Sequence, residues 1–366
     1  MASLRADSPA FSMISGVSSR QPSTPVKPES FPALPTDPTP PTQDPQEVEA
    51  HRQRELKWIT MMSTVPASQA RKNKKIRKLL WEGVPASVRY LVWAHLTDSK
   101  AKRIEGLYSK MVQRERVPAA ANIERDLNKV FPNDRQLHDG CLLNVLQAYL
   151  SMVPDTHYNR GLTVIAGHLL LQSPEEDAFW TFVSLMDAHL RPYFSASAGQ
   201  MEADAILFGK AVESMDTALA KKLFVEMDIP PASLCRPWFS ALFLEALPLE
   251  YSQRVWDIFL FEGVSFLFRV GLAIITCCKQ TVLRTAERDP VLHLLLHPSS
   301  ALLPPTAEAF LEIASSVKLK DDDIRKQRTK LAEAQAKRPP QSRNLSNQTP
   351  KIVERVPTPS ISIVRG

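Results

Sequence analysis

The chain has 366 residues, 44% of them apolar and only 11 of them glycine, which leaves room for one large or two medium domains. So few glycines argue against an open α/β or all-β fold, and the composition predicts an all-α protein with ample material for a core. The formal charge of +6 is modest for this length, so what matters is where the cations sit.

Residues 1–50 hold ten of the thirty prolines, interspersed with Ser, Thr and Asp. Such a segment buries too little apolar surface to offset its ordering entropy, so a disordered tail is expected over 1–50. Its "PALPTDPTPP" could serve a proline-binding module, but a spacer is the plainer reading. The opening "MASLRADSPAF" lacks the apolar run of a signal peptide. Residues 51–78 come next as a basic, partly helical lead-in ending in "RKNKKIRK", where Arg71, Lys72, Lys74, Lys75, Arg77 and Lys78 make six cations in eight residues.

From residue 79 to about 317 the sequence reads as helix after helix. In "QLHDGCLLNVLQAYLSMV", Leu137, Cys141, Val145, Tyr149 and Met152 recur at steps of four or three, which predicts one helix with one buried face. The next helix opens with "SPEED": Ser173 is suited to cap it, Pro174 to its first turn and Glu176 to complete a capping box. Phe179, Phe182, Val183 and Met186 would form its core stripe. Further helices are predicted at about 202–227, 233–246, 250–260, 264–282, 290–297 and 304–317. The stretch from Val255 to Cys278 is the most hydrophobic, but Asp257, Glu262 and Arg269 interrupt it. It reads as a pair of buried helices rather than a membrane span. Residues 318–366 are expected to be a charged helix end and a disordered basic tail, with ten Lys or Arg against five acids from Asp321 onward.

Signals for self-contained chemistry are missing. The sequence has no glycine-rich phosphate loop and no GxSxG elbow. His293 and His297 stand four apart in "HLLLH", but Leu294 occupies the position of the metalloprotease glutamate, so no metal site is predicted. Glu175, Glu176 and Asp321 to Asp323 read as charge favouring a helix N-terminus. Cys141, Cys235, Cys277 and Cys278 form no CxxC pair and are expected to be reduced thiols of a cytoplasmic protein. The two basic segments read first as solvated faces, with an acidic membrane surface as the alternative for Arg71, Lys72, Lys74 and Lys75. Neither contains an aromatic stacking platform, so no nucleic-acid partner is expected.

Several segments taken in order resemble the TBC domain of GTPase-activating proteins for Rab-type small GTPases. "LLWEGVPASVRYLVWAHL" carries Trp81, Gly83, Val84, Pro85, Arg89 and Trp93 at the family's opening. After it come "IERDLNKVFP", "YNRGL", "EEDAFWTFVSLMD" and "WFSALFLEALPLEYSQRVWDIFLFEG". Each also has a plain structural reading. Trp81 and Trp93 with Val84 and Val88 can anchor a helix, and in "RVWDIFL" Asp257 would point outward or bond a neighbouring backbone group.

The resemblance implies a single multi-helix domain over 79–317 that acts on a partner. TBC domains supply an arginine from an IxxDxxR motif and a glutamine from a YxQ motif to a Rab-bound GTP. An arginine supplied in this way is worth roughly a thousandfold to a hundred-thousandfold in rate. Here Ile123 and Asp126 match, and Lys129 stands at the arginine's position; Tyr158 and Gly161 match, and Arg160 stands at the glutamine's. Lysine keeps the charge but cannot fork across two oxygens. Arginine has only donors, so it cannot accept a hydrogen bond from an attacking water. Arg125, four before Lys129, is a candidate displaced cation. The implied function is regulation of a GTP-loaded Rab with weak stimulation of hydrolysis; a catalytically inactive Rab-binding or membrane-traffic scaffold is the alternative. GTP and magnesium would belong to the partner, and the protein itself would be cytoplasmic or peripheral on endomembranes.

Overall fold

The computed structural model describes residues 45–195, 199–319 and 321–336. The expectations for residues 1–44 and for the basic tail from 337 onward lie outside the described residues. Among the described residues every named element is helical, and the sole extended pairing is an isolated bridge between Thr156 and Ser195.

The basic lead-in is fastened to the start of the helical domain. Helix Pro45–Thr64 buries Trp58, whose indole donates to the Gly83 carbonyl at 3.1 Å. Helix Lys74–Glu82 starts at Asn73, whose side chain accepts from the Lys75 and Ile76 amides at 2.8 and 3.2 Å. It buries Ile76 and Leu80, one turn apart, and stops at Gly83, whose φ of +109° suits a residue without Cβ. Pro85 then leads through a 3₁₀ turn, Ala86–Val88, into helix Arg89–Leu96.

Asp257 joins the first and last parts of the fold. It does not point outward, nor is it satisfied by neighbouring backbone, as the sequence suggested. It is fully buried and accepts from Arg89 Nε at 3.3 Å, Trp93 Nε1 at 2.8 Å and Arg254 Nη1 at 3.1 Å. Arg89 also donates to the Val84 carbonyl at 2.6 Å and Arg254 to that of Leu80 at 2.9 Å. Burial pushes the Asp257 carboxyl up, and the two guanidinium groups pull against that shift.

Two predicted helices are divided and a third is cut short. Gly140, at φ +95°, separates a short helix Arg135–His138 from Cys141–Met152, so the expected stripe from Leu137 to Met152 spans two elements. The span 202–227 is broken at Asp216, which takes an extended conformation and accepts from the Leu219 amide at 3.0 Å. Helix Gly199–Met215 ends there, and Thr217–Ala220 runs on into a π-helical turn, Lys221–Glu226. The span 233–246 ends early at Ser240, because Leu242 and Phe243 adopt φ of +48° and +63°.

The capping box also fails. Helix Glu175–Leu185 begins at Pro174 with no side-chain cap, because the Ser173 hydroxyl donates back to the Leu169 carbonyl at 2.9 Å. Glu176 instead accepts from Arg103 at 2.8 Å, and Glu175 from Asn144 at 3.1 Å and from the Tyr108 hydroxyl. The core stripe itself forms, with Phe179, Phe182, Val183 and Met186 buried.

The expected pair of apolar helices appears as Leu249–Glu262 and Val264–Arg284, divided at Gly263 with φ +83°. The second is long and apolar enough to cross a membrane, but 67% of its most apolar window is buried within the protein. Phe208, Trp238, Phe239 and Phe268 pack their rings together at the centre of this core.

Candidate functional site

Helix Ala120–Val130 carries the first motif. Ile123 and Leu127, one turn apart, bury its inner face, and Asp126 beside them is almost wholly buried. Lys129, one turn beyond Asp126, is exposed and forms no ion pair among the described residues. Arg125 is also exposed, and its Nε lies 3.7 Å from Asp126 Oδ1.

The next two residues fix where that helix stops. The Phe131 ring lies against Gly167 so closely that a Cβ there would fall 2.3 Å from the ring edge. The Phe131 carbonyl is bonded to His138 Nε2 at 2.8 Å. Because Gly167 belongs to helix Arg160–Leu170, this packing sets the two motif-bearing helices against each other.

Helix Arg160–Leu170 carries the second motif. Asn159 caps it by accepting from the Gly161 amide at 2.8 Å. A Cβ at Gly161 would fall 2.3 Å from the Ser240 carbonyl oxygen, so glycine is what lets this turn approach the end of helix Pro231–Ser240. The two motifs are then bonded directly. The Tyr158 hydroxyl donates to Asp126 Oδ2 at 2.8 Å and lies 2.8 Å from Thr163 Oγ1. Burial pushes the Tyr158 hydroxyl well above its ordinary value; Asp126 adds to the shift and Thr163 opposes it. The phenol therefore stays protonated and able to donate.

Arg160 stands at the first position of its helix and pairs with Glu245. Glu245 arrives from the turn after Ser240, where Leu242 and Phe243 hold left-handed backbone conformations. That turn is fastened by the Trp256 indole, which donates to the Leu242 carbonyl at 3.2 Å, and by Ser252, which donates to the Leu247 carbonyl at 3.2 Å. Non-glycine residues adopt positive φ at a cost that surrounding packing must offset. Phe243 is fully buried and supplies that packing.

The structure thus brings Ile123, Asp126, Tyr158 and Gly161 together as a support, with Lys129 and Arg160 at its exposed edge. Sequence reading missed Glu245, Thr163 and Ser240. Glu245 lies 85 residues from Arg160 and no local spacing links them. Lys129 can offer a mobile positive charge to an anion, whereas Arg160 offers donors already engaged by a carboxylate. His293 and His297 lie with ring centroids 5.1 Å apart, and His297 Nδ1 is 3.2 Å from the Glu245 carbonyl oxygen. Among the described residues no group of three or more His, Cys, Asp or Glu side chains could hold a metal ion.

Comparison with known proteins bears on this arrangement. The family profile described as Rab-GTPase-TBC domain matches residues 86–283. Human TBC1 domain family member 10B is 32% identical over 238 residues, covering 62% of this chain and 29% of its own length. Mouse Carabin is 30% identical over 288 residues, covering 74% of this chain and 63% of its own length. The chain therefore spans less than two thirds of either relative. Among solved structures, the Chlamydomonas flagellar RabGAP TBC domain superposes with a TM-score of 0.58 at 25% identity, covering 75% of this chain and 97% of that one. The Ypt/Rab-GAP domain of Gyp1p gives 0.59 at 17% identity, a likeness of fold alone.

Proposed function

The chain belongs to the Rab-GTPase-TBC domain family, and from that premise we propose that it binds GTP-loaded Rab-type GTPases on the surface edged by Lys129 and Arg160 and stimulates their GTP hydrolysis weakly. Its family is one of Rab GTPase activators; the chain would have no active site of its own, and GTP and magnesium would be the partner's. The observation that carries this reading is the exposed Lys129, with no ion pair among the described residues, one turn from an Asp126 that Tyr158 holds in position. In GTP hydrolysis, charge spreads over the phosphate oxygens in the transition state, and a cation reaching them from outside lowers the barrier. Lysine does this as a single hydrated point charge rather than as a fork. The acceleration therefore falls short of the roughly thousandfold low end for an arginine.

A second reading, Rab binding without acceleration, is favoured by the Arg160–Glu245 pair. A guanidinium held by a carboxylate cannot orient water as a glutamine would, because it lacks an acceptor. In either reading the protein works in the cytoplasm or peripherally on endomembranes, with Arg71, Lys72, Lys74 and Lys75 meeting acidic lipid.

Single-turnover hydrolysis across a panel of GTP-loaded Rab proteins tests both. Weak acceleration by the wild type that Lys129→Ala abolishes supports the first reading. Binding without acceleration, together with strong activation by Lys129→Arg combined with Arg160→Gln, supports the second. If neither wild type nor the double variant binds any Rab in the panel, both are wrong.

A further inference from the structure

Helix Pro45–Thr64 and helix Lys74–Glu82 leave an open groove of about 590 Å³ between them. Gln53, Leu56, Lys57, Thr60 and Met61 line one wall, at the three- and four-residue steps that put side chains on one helical face. Lys75, Lys78, Leu79 and Glu82 line the other at the same steps. Each wall is therefore about two turns, or roughly 10–12 Å, long. Leu56, Met61 and Leu79 give the groove its apolar surface, and Lys57, Lys75 and Lys78 supply its cations.

Neither helix can turn to hide these side chains. Trp58, two residues on from Leu56, is buried and donates to the Gly83 carbonyl at 3.1 Å, which fixes the roll of the first helix. Buried Ile76 and Leu80 fix that of the second. Leu56 is consequently held 62% exposed, while Met61 and Leu79 are half-buried against the core. A lone exposed leucine is ordinary, but one that shares a groove with two further apolar side chains and a rim of charge is the pattern of an interaction site. That charge is positive in excess. Glu82 lies 3.8 Å from Lys78, and Lys57 and Lys75 are exposed with no ion pair among the described residues.

We propose that this groove is the docking site for an acidic amphipathic helix of a partner protein. Two turns of helix presenting apolar residues at i, i+3 or i+4, and i+7 match the two walls, and carboxylates on its flanks meet Lys57, Lys75 and Lys78. A membrane is met by a helix face that projects, whereas these side chains line a recess. Lys75 is common to this groove and to the membrane-contact reading above, so the test includes vesicles. The groove shares no residue with the Lys129 and Arg160 edge.

The test titrates the full chain with three synthetic fluorescent peptides: an amphipathic helix of leucine and glutamate, the same helix with lysine for glutamate, and the acidic composition with its leucines scattered around the helix. The expected result is selective binding of the first, weakened by added salt. Its affinity should fall roughly tenfold or more in Leu56→Gln, and likewise in Lys57→Gln combined with Lys78→Gln. Lys72→Gln with Lys74→Gln removes equal charge from residues that do not line the groove, and should leave the affinity within about twofold of wild type. Equal binding of the scattered or the basic peptide, equal loss in the Lys72 and Lys74 variant, or no binding of the acidic helix would overturn the proposal. So would a dimer of the chain that Leu56→Gln dissociates, or binding to phosphatidylserine vesicles that Leu56→Gln abolishes, since either gives the groove another occupant. All the substituted side chains are exposed, and an unchanged melting temperature confirms that each variant is folded.

Discussion

Tyr158 donates its hydroxyl hydrogen to Asp126 across 2.8 Å, joining two motifs that lie 32 residues apart in sequence. Neither residue is at the exposed edge, yet together they determine where Lys129 and Arg160 stand. Replacing Tyr158 by Phe leaves a nearly buried carboxylate short of one donor. A hydrogen bond to a charged group is worth about 2 kcal/mol. Tyr158→Phe should therefore lower the urea midpoint by that equivalent with an unchanged denaturant slope. An unchanged midpoint would mean that Asp126 is satisfied without Tyr158.

Gly161 gives a second prediction with a defined sign. Alanine favours a helix over glycine by about 1 kcal/mol, but the added Cβ would meet the Ser240 carbonyl oxygen at 2.3 Å. That oxygen belongs to the backbone, so the helix or the turn must shift, and overpacking of this kind costs about 1–3 kcal/mol. Gly161→Ala should be destabilising in thermal or urea unfolding. Gly199→Ala, where a Cβ meets nothing within 4 Å, should stay within about 0.5 kcal/mol of wild type.

What the sequence allowed one to read divides along physical lines. Periodicity found the buried faces because burial is a local property of spacing: Ile123 with Leu127, and Phe179 with Phe182, are where a helical period puts them. The neighbours Ile123, Asp126, Tyr158 and Gly161 could be picked out by their spacing, and the fold brings Asp126 and Tyr158 into contact. Helix ends were harder to read. Gly140, Asp216 and the Leu242–Phe243 turn interrupt apolar patterns that continue across them, and the turn is held by Trp256 and Ser252 from a later helix. The capping box at Ser173 was lost because the hydroxyl found the carbonyl of Leu169 in the preceding turn. Glu245 beside Arg160 and Asp257 beside Arg89 are unions of distant segments, and no local spacing announces them.

The Asp257 network carries a third prediction. Asp257→Asn keeps the side chain's shape but removes the negative charge between Arg89 and Arg254, leaving the nearly buried Arg89 guanidinium without a carboxylate and that of Arg254 with only the more exposed Glu308. Breaking a buried pair in this way costs about 3–5 kcal/mol. The loss should appear in urea unfolding, and it should exceed that of Arg103→Ala, whose pairs with Glu176 and Asp177 are about half exposed. Such surface pairs contribute about 0–1 kcal/mol. Equal effects would show that burial adds nothing to the network.

His168 predicts how stability varies with pH. The imidazole is 4% exposed, with its ring 4.9 Å from that of Trp256 and 5.6 Å from that of Trp93, and its Nε2 lies 3.1 Å from Gln172 Nε2. Burial pushes its pKa down to about 3, and the Arg89 guanidinium adds to the shift. The folded protein therefore keeps this ring neutral, while in the unfolded chain it takes up a proton near pH 6.5. Between those values the unfolded state binds more protons, so the contribution is complete above about pH 6.5 and is lost as pH falls toward 3. The slope approaches about 1.4 kcal/mol per pH unit, or about 2 kcal/mol between pH 6.5 and 5. His168→Gln replaces the ring with a side chain that does not titrate in this range. Whatever the variant costs at pH 7.5, its urea midpoint should fall less between pH 7.5 and 5 than that of the wild type. Parallel falls in the two proteins would assign the acid sensitivity to other groups.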